Sequence, residues 1–249
     1  MNSFKANVIN ETQKLFLKKK ITVFLIITAV VCFISAFFIS SIQAKLAFIA
    51  LSSVSFPMMT LSIFTNIFLP LFIFMAVSEV FSGELENKSL KLVLIRPISR
   101  FKIYISKNAA IAIYIIINLL VVLVASIVST MLLKIGFAYQ GVTQIIFGYF
   151  IDAIPAMVFV LFAAFIAQFF KSSSGALITC ILCYLGIEVL CLFIKGFNNA
   201  IFTSYLNWCS MWSVGGAGFI RNINTFFMIL AYGIIFFTVG YYVFDGKEV

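Results

Sequence analysis

Long stretches without a charged residue alternate with short charged ones along this chain. Uncharged windows cover 21–44, 46–78, 108–133 and 222–244, while 135–170 holds only Asp152 and 172–194 only Glu188. An α-helix rises about 1.5 Å per residue, so roughly 20 apolar residues cross a hydrocarbon core of about 30 Å. The pattern therefore predicts six spanning helices, at about 21–43, 58–78, 108–133, 147–169, 174–195 and 223–244. Pro57 suits a helix start, and Ser172–Ser174 can cap the fifth helix. The stretch 196–220 is uncharged and long enough to cross, but it carries Asn198, Asn199, Asn207, Gly215, Gly216 and Gly218 together with Trp208 and Trp212. Paired Trp with Asn and Gly predicts a re-entrant or interfacial segment before the last span. Residues 4–18 place Phe4, Val8, Leu15 and Phe16 near one face, with Lys5, Glu11, Lys14 and Lys18 largely elsewhere. That pattern predicts an amphipathic helix lying on the membrane surface; the alternative is a plain basic flank that only sets orientation.

Composition turns this pattern into a fold class. Of 249 residues, 63% are hydrophobic and 10% charged, against roughly 45–50% and 25% in soluble domains. So few charges cannot cover a globular surface, which excludes a soluble enzyme or a nucleic-acid-binding domain. The expectation is an all-α integral membrane protein, with 1–249 forming one transmembrane domain. The first apolar run is longer than a signal-peptide core and no A-x-A-like site follows it, so it is expected to remain as a span. Of the 17 Lys and Arg, thirteen fall on the side of the termini and four on the other. Basic residues accumulate in cytoplasmic loops, so both termini are expected in the cytoplasm.

The chemistry left open is narrow. There is no His, which removes histidine triads, histidine metal ligands and a histidine pH switch. Cys32, Cys180, Cys183 and Cys191 lie in apolar runs, and a disulfide framework is not expected. Cys180-x2-Cys183 reads as a pair of small buried hydrophobes, since no His completes a metal site. Asp152 and Glu188 lie at membrane depth, where ionisable groups are expensive and face a cavity or a partner. They are expected either to line a transport pathway or to form a structural ion pair at the outer gate, with Lys195 and Arg221 nearby.

The loop 79–107 is the most informative segment, with nine of the chain's charges. Residues 84–95 have helix-forming composition, Leu85, Ser89 and Leu92 share a face, Pro97 ends the helix, and Ser99 can cap the next. A charged helix with an apolar stripe suits docking into a partner's groove. The run Glu79-x3-Gly83-Glu84-x5-Leu90-x6-Pro97-Ile98-Ser99-Arg100-x6-Lys107 resembles the cytoplasmic signature between the second and third spans of ABC type-2 permeases. The resemblance extends to the amphipathic N-terminus, the six spans and the segment before the last one. It implies that this loop contains the coupling helix that docks on a separate ATPase subunit, with Glu79, Gly83, Glu84, Pro97, Ser99 and Arg100 matching the pattern; Leu85 and Leu92 of the apolar stripe are expected to join them at the coupling site. It also implies a second permease subunit, homologous or identical, and a multi-pass protein of a bacterial plasma membrane. No cofactor is expected on this chain; ATP and Mg belong to the partner, because the sequence has no G-x-x-x-x-G-K-S/T motif. The short outer loops resemble permeases that export antimicrobial peptides or antibiotics, including self-immunity systems, with lipid or lipid-linked glycan export as the alternative. An ion-coupled secondary transporter would carry inverted repeats with broken helices in matching positions, and no such symmetry is visible. An intramembrane enzyme would need a paired Ser/Lys, metal or di-aspartate motif, and none lies at matching depth.

Overall fold

Hydrocarbon offers no hydrogen-bond partner to backbone amides, so each segment must satisfy its own. The chain meets this demand with helices. The computed structural model describes residues 3–45, 55–87, 89, 98–132, 141–194, 196, 199–209 and 219–247. Helix α1 (Ser3–Phe16) turns at Leu17–Lys18 into α2 (Lys19–Lys45). The second span combines α3 (Ser55–Ile63), a π-helical turn (Phe64–Phe68) and α4 (Leu69–Glu86). Then follow α5 (Arg100–Leu132), α6 (Val142–Ala167), α7 (Ser173–Phe193) and α8 (Phe219–Asp245). Among the described residues there is no strand, and six helices are long and apolar enough to cross a membrane. The all-α, six-span expectation holds.

The span limits differ from the sequence-based ones at one end of the bundle. α4 runs on to Glu86 and α5 begins at Arg100, where the charge pattern set limits at 78 and 108. The physical reason is pairing: Glu84 pairs with Lys107, and Glu79 with Lys18 and Lys20, so helix continues through these charges. Consequently Gly83–Glu86 form the last turn of α4, and Asn87 caps it by donating its N–H to the Gly83 carbonyl. The helix expected over 84–95 therefore does not begin at 84; Leu90 to Pro97 lie outside the described residues. The Ser99 backbone carbonyl accepts from Ile103 N–H at 3.2 Å, which sets Ser99 just before the first turn of α5. Ser172 caps α7 through its side chain, accepting from Gly175 N–H.

α6 is the central helix, packing against α4, α5, α7 and α8. Phenylalanines fill the space: Phe74 and Phe159 lie 5.8 Å apart, and Phe162 sits 5.1 Å from Phe202. The outer faces of α2, α7 and α8 expose apolar side chains such as Val30, Phe37, Leu182, Phe193 and Phe227, as lipid contact requires. The π-turn frees backbone groups, and neighbours take them up: Tyr184 donates its hydroxyl to the Asn66 carbonyl at 3.1 Å. Within 196–220, the described part contains a four-residue 3-10 turn, Phe202–Tyr205, and no crossing helix; residues 210–218 are outside the description. Gly196 adopts φ +90, open to glycine at little cost. The Phe202 ring inserts between α6 and α8, against Phe159, Phe162, Tyr232 and Phe236. Asn207 Nδ2 donates to Ser62 Oγ at 2.6 Å, fastening the segment to α3.

Candidate functional site

The expected amphipathic helix is present as α1, but its buried face mixes polar residues with an apolar one. Asn7, Glu11 and Leu15, spaced four apart on one side, are all buried. That side faces α5. Asn7 Nδ2 donates to Ser106 Oγ at 2.6 Å. Glu11 meets Lys107, whose side chain is wholly buried, at 3.2 Å. Lys107 Nζ also reaches Glu84 Oε2 at 2.5 Å and the Val80 carbonyl at 3.2 Å. Lys14 completes the cluster at 2.9 Å from Glu11 and 3.5 Å from Glu84. Phe4, on the side expected to meet lipid, is 37% exposed. Burial acts to raise the Glu11 carboxyl, but Lys107 and Lys14 outweigh it and hold the group below its ordinary 4.5.

A second cluster stands one turn away. Lys18 donates to the Glu79 carbonyl at 2.6 Å and to its carboxylate at 3.0 Å. Lys20 reaches the other carboxylate oxygen at 2.7 Å. Gly83 makes room for this: a Cβ there would stand 3.7 Å from Lys18 Nζ and 3.5 Å from Glu79 Oε2. Alanine fits those distances, whereas a longer side chain would displace the lysine. Glu86 Oε2 accepts from the Ser173 amide and hydroxyl, joining α4 to α7. Arg100 donates to the carbonyls of Asp245 and Lys247. All these contacts gather at one end of the bundle, together with both described chain ends. A cleft of about 370 Å³ opens there between α1 and α4, lined by Glu11, Lys14, Leu17, Lys18, Gly83 and Glu84.

Thus Glu79, Gly83 and Glu84 come together, and Leu85 is half-buried against the core beside them. Ser99 and Arg100 start α5 nearby, while Leu92 and Pro97 lie outside the described residues. Sequence reasoning missed Glu11, Lys18 and Lys20 as members of this site, and had Lys107 only as the end of the signature run. One signal was there: Glu11 is the only acid before Glu79, inside a lysine-rich flank.

Asp152 and Glu188 have different surroundings. Asp152 is fully buried on α6, and its Oδ1 accepts from Cys209 N–H at 2.7 Å. It anchors the segment before α8. Glu188 is half-buried on α7 and makes no hydrogen bond or ion pair among the described residues. Neither acid pairs with Arg221, and Lys195 lies outside the description. Among the described residues no cluster of His, Cys, Asp or Glu forms a metal site. Cys180 and Cys183 are free thiols on α7, the first buried.

No curated protein matches the chain closely enough to report as a relative. The family model described as ABC-2 family transporter protein matches residues 8–187, from α1 through the fifth span. The matched stretch contains both charge clusters, Asp152 and the whole signature from Glu79 to Lys107, and the chain belongs to the ABC-2 transporter family.

Proposed function

We propose that this chain is the permease subunit of an ATP-driven exporter, with the charged end of the bundle facing the cytoplasm and a separate ABC ATPase subunit. The family implies an ATPase partner. The observation that carries the placement is the gathering of Glu79, Gly83, Glu84, Ser99 and Arg100 at one end. The stretch 88–97 joins α4 to α5 in sequence, and we assign it the ATPase contact through Leu92. ATP and Mg act on the partner; a second permease subunit, identical or homologous, completes the pathway. The substrate is an amphipathic molecule such as an antimicrobial peptide or antibiotic, in a bacterial plasma membrane. The chain purified from its own cells should bring an ABC ATPase with it, and Leu92→Asp should lose that partner while still inserting. Retention of the ATPase by Leu92→Asp would remove this loop from the interface.

Asp152 serves as a gate residue holding segment 199–209 at the far end, and Glu188, without an ion pair among the described residues, lines the pathway. In a cysteine-free chain, a single cysteine at Ser204 should react with an impermeant thiol reagent from outside, and one at Ser3 should not. Asp152→Asn should speed labelling at 204, because it weakens the acceptor for Cys209 N–H; Glu188→Gln should leave labelling unchanged and lower ATP turnover. Outside labelling at residue 3 would invert the orientation.

A further inference from the structure

An amphipathic helix that merely rests on a leaflet turns its polar side to water. α1 does the opposite, committing Asn7 and Glu11 to the protein interior. We infer that Lys107 is a positioning residue that locks α1 to the ends of α4 and α5, so that the three helices move as one body and α1 belongs to the element receiving the ATPase stroke. This inference rests on the permease reading above.

Three ties at different heights carry it. Near the start of α1, Asn7 bonds Ser106 at 2.6 Å. In its middle, Glu11 meets Lys107 at 3.2 Å, and Lys107 meets Glu84 of α4 at 2.5 Å. Just past its end, Lys18 and Lys20 hold Glu79 at 3.0 and 2.7 Å. Ties at both ends and the middle fix the rotation of a helix as well as its position. The central tie cannot open cheaply. Lys107 stands on α5 with no exposed surface, and its two carboxylates come from two other helices. Peeling α1 away would strand a buried ammonium against a single carboxylate. A helix that had to slide along α5 in each cycle would break this contact each time. A helix that travels with α4 and α5 never does.

The test uses the complex of this chain with its copurified ATPase. In a cysteine-free background, Asn7→Cys and Ser106→Cys are joined by a short bifunctional thiol reagent, and ATP hydrolysis is measured before and after. Linking should leave hydrolysis unchanged. Lys107→Met should keep the ATPase bound yet lower hydrolysis roughly tenfold, within the range for residues along a coupling network; linking 7 to 106 in that variant should restore it. Restoration separates positioning from mere folding, since a covalent tie cannot refill the charge. Hydrolysis that collapses on linking, or a Lys107→Met complex that hydrolyses normally, overturns the inference. If Lys107→Met fails to assemble, linking in the otherwise unaltered chain decides alone. An unsubstituted chain that carries no ATPase defeats the permease reading itself, and this inference falls with it.

Discussion

Replacing Glu11 and Glu84 together by alanine should lower the unfolding free energy by about 3–5 kcal/mol, the range for stranding a buried charge. Lys107 would keep its burial and lose both carboxylates, retaining the Val80 carbonyl at 3.2 Å and the Phe81 ring at 5.9 Å. The loss should be visible as a lower melting temperature in detergent, with earlier tryptic cleavage after Lys14 and Lys18 as α1 comes away. The pair of glutamines should fall between, because an amide oxygen still accepts from the ammonium but carries no charge. Acid should reproduce part of the effect. The Glu11 pKa in the folded chain lies below 4.5, so its contribution is present at neutral pH. It is lost as pH falls below about 4.5 and the folded carboxyl takes up its proton. Melting temperatures equal across these variants would show that the cluster contributes nothing to stability.

The second large effect belongs to the opposite end. A Cβ on Gly148 would stand 2.5 Å from Cys209 Sγ and 3.1 Å from Met58 Cε. No packed pair tolerates the first distance, so in Gly148→Ala the Cys209 side chain or the segment 199–209 that carries it must shift. Overpacking of this kind costs about 1–3 kcal/mol, and a displaced segment would also pull Cys209 N–H from Asp152. Adding Cys209→Ala removes the offending sulfur and should recover most of the loss. A double-mutant cycle on melting temperatures reads this directly. Additive single effects would mean that the segment does not press on α6 at this point.

The two ends were unequally legible in the sequence. Uncharged windows placed six spans, because hydrocarbon sorts residues by charge more strictly than any soluble core does. The same rule misplaced the ends of α4 and α5. It treats Glu79, Glu84 and Lys107 as belonging to water, and three-dimensional pairing brings them inside. Glu11 was assigned to a solvated face for the same reason: its partner lies on another helix, far along the chain, and no spacing rule links the two. At the far end, Asp152 was legible as an expensive group needing a partner. That the partner is the backbone amide of Cys209 was not, since any residue at 209 other than proline supplies an amide. Neither acid pairs with Arg221, one of the two cations offered for a structural pair; the other, Lys195, lies outside the described residues.

The π-turn at Phe64–Phe68 makes the second span two rods set end to end. Each residue of an α-helix advances about 100° around the axis, and a π-turn inserts one extra residue. The first rod, α3, thereby presents the Pro57 carbonyl to Tyr149 at 3.3 Å and Ser62 to Asn207 at 2.6 Å. The second rod, α4, presents Glu79 and Glu84 to α1 and α5. Removing a single residue from the turn would straighten the span and leave one azimuth where the molecule uses two. Either the returning segment or the charged clamp could then be reached, but not both.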